Sequence, residues 1–204
     1  MPAIDGSAVV AAGEQLVPTP QGILLLTMNF YRDAELHGAR LLLNLHRHLL
    51  DGDSQIKLTH HLADETRHAW LWTRRICDLG STPIEVASGY QRRMGRRVGV
   101  PSDVTELLAL TLVAENRAIE RYRAHASRPE VDEETLEVLD SVTRDEHWHL
   151  EWIEAKLHEL AQTRGGSKYA EELLERYRSI DREVYADLAA DEARLANLLK
   201  GVAL

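Results

Sequence analysis

Two short stretches decide the fold: Asp64-Glu65-Thr66-Arg67-His68 and Asp145-Glu146-His147-Trp148-His149. Each contains Glu-x-x-His, and residues i and i+3 of a helix lie on the same face, so the carboxylate and the imidazole point the same way. Two ligands of one metal ion need that arrangement. Chance supplies about one such motif in a chain of this composition, so a single match carries little information. Whether the two motifs form a metal site depends on where they lie in their helices and on the residues around them.

Both motifs lie in long segments of helical periodicity. Apolar residues recur at three- and four-residue spacing and predict five helices, over residues 20–50, 53–79, 101–126, 132–164 and 167–200. Residues 80–101 are predicted to be a long connection, and residues 1–19 a loosely held arm. No stretch alternates between apolar and polar residues as a strand would. We therefore predict an all-α protein.

Four of these helices carry an acidic residue where the apolar stripe requires a hydrophobic one. Burying isolated carboxylates is costly unless a positive charge compensates. The positions also repeat: Glu35 and Glu115 are 80 residues apart, and the two Glu-x-x-His motifs are 81 residues apart. Two similar helical hairpins would thus each supply one lone Glu and one motif to a dinuclear metal site. The predicted metal ligands are Glu35, Glu65, His68, Glu115, Glu146 and His149.

The motifs resemble those of the ferritin-like di-iron carboxylate superfamily over roughly residues 20–164. The first stretch reads Asp-Glu-x-Arg-His, as in dioxygen-activating members, whereas the second has Trp148 where the arginine would stand. The resemblance implies an antiparallel four-helix bundle of ferritin-like type with a long crossover between helices two and three. It also implies two iron ions, or manganese or a mixed pair, with Glu65 and Glu146 as bridges. Residues 165–204 would form an additional C-terminal helix packed on this bundle.

Five other residues could orient the ligands or move protons and electrons: Asp64, Asp145, His61, Tyr31 and Tyr122. The resemblance implies that each Asp accepts a hydrogen bond from a ligand His of another helix, which orients the ring; the alternative is a solvated helix residue. His61, one turn before Glu65, could be a seventh ligand, a proton donor or a buried structural histidine. The tyrosines could relay an electron, donate to a metal-bound oxygen, or simply fill the core.

Composition excludes several classes of protein. The chain has 24 basic and 33 acidic residues and a net charge of −9, which argues against a general nucleic-acid binder. Cys77 is the only cysteine, so no intramolecular disulfide or cysteine-based metal site is possible. With no signal-peptide pattern and no apolar run long enough to span a bilayer, we expect a cytoplasmic protein without membrane association. The basic cluster Arg92–Arg97 could bind a phosphate-bearing substrate, form a solvated loop or pair with acidic surface residues.

The main hypothesis is a non-haem di-iron oxidoreductase that activates O2 or peroxide, as an oxygenase (hydroxylase), an oxidase or a peroxidase. In size the chain is similar to the rubrerythrin-like and small tRNA-hydroxylase branches, and the substrate could be a small molecule or tRNA-like. Because no Cys-x-x-Cys pair is present, electrons would come from an external donor. We expect a monomer or dimer. Two alternatives remain: a ferroxidase that stores iron in a large symmetric cage, and a helical scaffold that has lost its metal.

Overall fold

A computed structural model describes residues 20–202, and the predicted arm of residues 1–19 lies outside them. The described chain forms α-helices and contains no β-strand, which confirms the all-α prediction for this part of the protein. The helices are α1 (Pro20–Leu45), α2 (Gly52–Asp78), α3 (Tyr90–Val98), α4 (Val104–Ala126), α5 (Glu133–Ala161) and α6 (Ser167–Val202). A short 3-10 turn, Gln162–Arg164, follows α5.

Three aspartates begin the helices that carry most of the predicted ligands. The side chain of Asp51 accepts a hydrogen bond from the backbone N–H of Ser54 at the start of α2 (2.9 Å). Asp103 caps α4 and Asp132 caps α5 in the same way. Each cap satisfies backbone donors that have no partner within the first helical turn. The sequence therefore fixes these three helix starts by local chemistry.

Two segments differ from the sequence-based prediction. Helix α1 ends at Leu45 instead of residue 50, because the chain turns at residues 46–48 and the side-chain amide of Gln55 donates to the carbonyl of His46 (3.2 Å). The connection of residues 80–101 contains helix α3, which the sequence reading missed. Gly99, with φ of 75°, ends this helix in a conformation that favours glycine.

Helices α1, α2, α4 and α5 surround a common centre. Helix α1 packs along α2, and α4 packs along α5, while α2 contacts α5 and α1 contacts α4. The turn of residues 46–51 is short, so α1 and α2 run antiparallel. Buried apolar side chains fill the interior above and below the middle of the helices, among them Leu108, Trp72 and Leu139. The two Glu-x-x-His motifs lie between these apolar layers.

Helix α6 covers one side of this arrangement and contacts α4 and α3. Its Asp181 accepts hydrogen bonds from the guanidinium of Arg117 on α4 (2.6 and 2.9 Å) and from the hydroxyl of Tyr90 on α3 (2.7 Å). These buried or partly buried contacts join three helices at one point. Among residues 20–202, no helix is long and apolar enough to cross a membrane.

Candidate metal centre

The six predicted ligands meet at the centre of the four helices. Helix α1 supplies Glu35, α4 supplies Glu115, and α2 and α5 each supply one Glu-x-x-His motif. All six side chains are buried; Glu115 is the most exposed, at 6%. Such burial is uncommon for carboxylates and requires a compensating positive charge.

A seventh donor, His61, joins them, and the seven residues form two groups that share Glu65. One group contains His61, Glu65, Glu115 and His149, and the other contains Glu35, Glu65, His68 and Glu146. Within each group one donor atom from every residue lies within 4.8 Å of the others, close enough for one cation to contact all four. This arrangement places Glu146 with Glu35 and His68.

Glu146 nevertheless reaches both groups. Its Oε1 lies 3.5 Å from Nδ1 of His68, and its Oε2 lies 3.0 Å from Nδ1 of His149. The Oε1 atom of Glu65 lies 3.6 Å from Nε2 of His61 and 4.0 Å from Nδ1 of His149. Both carboxylates thus stand between the two sets of imidazoles. A carboxylate that bridges two metal ions would occupy such a position.

Several polar atoms at this centre have no hydrogen-bond partner. Within the described residues, seven buried side-chain nitrogen or oxygen atoms are unpartnered, and four of them belong to this cluster. These are His61 Nε2, Glu65 Oε1, His68 Nδ1 and Glu146 Oε1. Buried polar groups are normally satisfied, and leaving one unpaired costs about 1–3 kcal/mol. Four oxygen or nitrogen atoms converging without partners fit a cation as the missing partner.

Two aspartates orient the histidines of the opposite helix. Nε2–H of His68 on α2 donates to Asp145 Oδ2 on α5 (3.1 Å), and Nε2–H of His149 on α5 donates to Asp64 Oδ2 on α2 (3.3 Å). In its neutral form each ring therefore presents an unprotonated Nδ1 to the centre. Arg67 bonds to both Asp145 and Asp64 and links the two pairs. Carboxylate–histidine contacts of this kind fix the ring and raise its basicity as a ligand.

The position of His61 is defined by Trp152. The indole Nε1–H of Trp152 donates to His61 Nδ1 (3.2 Å), so the ring hydrogen of a neutral His61 lies on Nε2. That nitrogen points at Glu65 and Glu115, 3.6 Å from an oxygen of each. If Nε2 bound a metal, the hydrogen would have to move to Nδ1 and face the indole hydrogen. While the Trp152 contact holds, His61 acts as a donor toward the carboxylates.

The electrostatics of the cluster keep protons on some carboxylates. Burial raises the pKa of Glu146 well above its usual value, and the charges of Glu115 and Glu65 raise it further. Burial also raises the pKa of Glu65 strongly. The pKa of His149 is lowered to about 3, mainly by burial and by the neighbouring His61, so this ring is neutral at pH 7. A protonated Glu146 Oε2 can then donate to Nδ1 of His149, at 3.0 Å.

Glu115 behaves differently from the other carboxylates. Although burial raises the pKa of Glu115, its interaction with His61, whose Nε2 lies 3.6 Å from Glu115 Oε1, outweighs burial and lowers this pKa to about 2. The metal-free centre therefore contains ionised and protonated carboxylates side by side. Since a metal ion binds the deprotonated forms, its binding would release the protons held by Glu65 and Glu146.

Aromatic residues line the centre on the side of Glu35. The hydroxyl of Tyr122 donates to Glu35 Oε1. The ring of Tyr31 packs edge-on against Tyr122 (centroids 4.8 Å apart) and is tilted by 46° against Trp72 (5.0 Å). Tyr122 thus touches a predicted ligand directly, and Tyr31 contacts Tyr122.

Two residues of the centre could not be found by sequence reasoning. Gly38 lies so close to Glu65 that a Cβ atom added to it would be 1.9 Å from Oε2 of that side chain. Trp152 fixes His61 from a different helix. The basic cluster Arg92–Arg97, in contrast, is away from the centre: Arg93 pairs with Asp191 (2.6 Å), and Arg97 pairs with acids of α6. The structure thus favours the surface-pairing interpretation of this cluster.

Comparisons with protein-family models, with curated proteins and with solved structures found no match for this chain. The geometry described above is therefore the basis for any functional conclusion. It shows a helical protein whose buried Glu and His groups could bind metal.

Proposed function

We propose that the protein is a ferritin-like di-iron oxidoreductase that activates O2 or peroxide. The observation that supports this proposal most directly is the pair of buried four-residue donor groups that share Glu65. Four carboxylates and three imidazoles, without a thiolate, suit iron or manganese better than softer metals. The ring formed by α1, α2, α4 and α5, with one Glu or one Glu-x-x-His from each, matches the ligand arrangement of di-iron carboxylate bundles.

When bound, two such ions would supply electron transfer to O2 or peroxide, which no side chain of the chain can perform alone. The protein's own residues orient the ligands, keep water out of the site and hold protons in the metal-free state. Asp145 and Asp64 hold the two histidine rings with Nδ1 facing inward. Tyr122 holds Glu35, and burial of every ligand keeps bulk water away. Glu65 and Glu146 carry protons in the metal-free state and give them up on metal binding.

The first experiment measures metal content. Protein expressed with iron and manganese available should contain about two metal ions per chain, as the two donor groups imply. Glu65→Ala should lose most of both ions, because Glu65 belongs to both groups. Glu154→Ala, which alters an exposed acid of α5, is the matched control and should retain them. Less than one ion per chain, or equal content in Glu65→Ala and wild type, would refute the metal site.

The second experiment tests the reaction. Wild-type protein is loaded with ferrous iron without oxygen, then mixed with O2 or hydrogen peroxide, and oxidant consumption is recorded with an electrode. Consumption that requires Glu65 supports the oxidoreductase proposal. No consumption at full iron occupancy contradicts it while leaving metal binding intact. Retention of many more than two ions in a large assembly on size-exclusion chromatography would favour the iron-storage alternative.

A further inference from the structure

A cavity of about 300 Å³ lies between α1, α4 and α6. That volume is at the lower end of the range found for small-molecule sites, about 300–1,000 Å³. Helix α4 contributes Arg121 and Ala124, the turn after α4 contributes Arg128, and α6 contributes Tyr185 and two alanines. Helix α1 contributes Ile23, Thr27 and Tyr31. The walls are therefore mostly apolar or aromatic, with two guanidinium groups among them.

Two small voids lie between this cavity and the metal centre. The cavity shares Tyr31 and Arg121 with a void of about 10 Å³, which in turn shares Ala34, Ala114 and Ala118 with a void of about 20 Å³. Glu35, Glu65 and Glu115 line the last of these voids. Each small void has room for about one water molecule. The methyl groups of the three alanines form part of the walls of both voids.

Charge distinguishes this cavity from the rest of the molecule. The protein has a net charge of −9, yet the nine described residues that line the cavity include two arginines and no acid. Arg128 is exposed, and it forms no ion pair with the side chains that the structure describes, which do not include those of residues 192 and 195–202. The guanidinium of Arg121 lies 5.2 Å from the centroid of the Tyr31 ring. A positive, partly aromatic cavity in an acidic protein attracts a negatively charged molecule.

We propose that this cavity binds a small organic carboxylate, with its charged group at Arg128 and its apolar body between Tyr31 and Tyr185. Guanidinium groups suit carboxylates because their parallel N–H donors match the two oxygens. The rings and alanines offer apolar surface to the remainder of the ligand. That this ligand is the substrate rests on the proposed oxidoreductase function. That the cavity binds it does not depend on that function.

The test uses the metal-free, full-length chain and ligand-observed NMR titration. Benzoate and octanoate are the probes, and benzamide and octanamide are their neutral counterparts. We expect at least one acid to bind about tenfold more tightly than its amide, a difference of about 1.4 kcal/mol, because a hydrogen bond to a charged group is stronger than one between neutral groups. Whether benzoate or octanoate binds more tightly shows whether the cavity prefers an aromatic or a linear body.

Three variants locate the binding. Arg128→Ala should weaken acid binding about tenfold and leave the amides unchanged. Ala124→Trp, which fills the cavity from an exposed position, should weaken both, while Arg74→Ala on the exposed face of α2 should change neither. Equal binding of acid and amide, or wild-type affinity in Arg128→Ala and Ala124→Trp, would overturn the proposal. Because metal is absent, this result is independent of the metal analysis.

Discussion

Replacing Gly38 with alanine should weaken metal binding while leaving the stability of the fold intact. Gly38 lies in α1, and its missing side chain makes room for the carboxylate of Glu65. An added Cβ atom would lie 1.9 Å from Glu65 Oε2, whereas ordinary contact begins at 3.4 Å. Oε2 must therefore retreat by about 1.5 Å, because real Cβ atoms do not approach so closely.

This shift should change the stability of the metal-free protein little and its metal affinity strongly. The displaced atom is the end of a flexible side chain, and alanine is a better helix former than glycine by up to about 1 kcal/mol. The free energy of unfolding of the metal-free protein should therefore stay constant or rise slightly. Metal–ligand distances, in contrast, are fixed to within about 0.2 Å. Losing a residue that only hydrogen-bonds a metal ligand typically lowers metal affinity by about 10–100-fold. Moving the carboxylate of Glu65, which belongs to both donor groups, should lower it by at least as much.

The assay pairs two measurements on each protein. Titration with Co²⁺, followed by visible absorption, gives stoichiometry and affinity, and denaturant unfolding of the metal-free protein gives stability. Gly95→Ala in α3 is the matched control, because a Cβ atom there meets nothing within 4 Å. We expect Gly38→Ala to fold normally and bind cobalt poorly. Wild-type stoichiometry and affinity in this variant would refute the assigned role of Glu65.

Three other substitutions test separate parts of the centre. Because burial raises the pKa of Glu146, its carboxyl group stays protonated above pH 4.5 in the folded state, and this contribution to stability is lost as the pH rises. Glu146→Gln cannot ionise, so at pH 7 its free energy of unfolding should exceed that of metal-free wild type by about 1–4 kcal/mol. Chemical denaturation at pH 4 should show a smaller difference. A pH-independent difference would contradict this reasoning. Trp152→Phe removes the donor to His61 Nδ1, so cobalt affinity should rise at the group containing His61, and an unchanged titration would show that this contact does not control ligation. Asp145→Asn should weaken cobalt binding by about 10–100-fold because His68 loses its carboxylate partner, and unaltered binding would count against that contact.

The sequence was sufficient to place the six predicted ligands at the centre of the helices because each breaks a local rule. An acid in an apolar stripe is visible within one helix, and the 80- and 81-residue spacings link the helices in pairs. The helix starts at Asp103 and Asp132 are also local signals. All of this information lies within a few helical turns of each residue.

The features that sequence reasoning missed depend on contacts between distant segments. Helix α3 is rich in arginine and has only two buried residues, Tyr90 and Met94, so its apolar period is weak. Its arginines pair with acids of α6 roughly 90 positions later, which no local pattern reveals. The same holds for Trp152, which fixes His61 across two helices. The all-helical fold and the convergence of the six predicted side chains could be predicted from the sequence, but the residues that contact those side chains could not.

The two donor groups are unequal in a way that predicts the order of metal binding. His149 has a pKa of about 3 and is neutral over the whole physiological range. The pKa of His68 is raised, because its contacts with Glu35 and Asp145 outweigh the effect of burial. A metal ion needs a neutral imidazole, so the group of His68 must lose a proton that the group of His149 does not hold. As pH falls, the His68 group should therefore lose its metal first. In cobalt titrations, the number of ions bound per chain should fall from two at pH 8 to one at pH 5.5. The ion that remains at pH 5.5 should be lost in His149→Ala. Simultaneous loss of both ions would show that the two positions are coupled too strongly to fill separately.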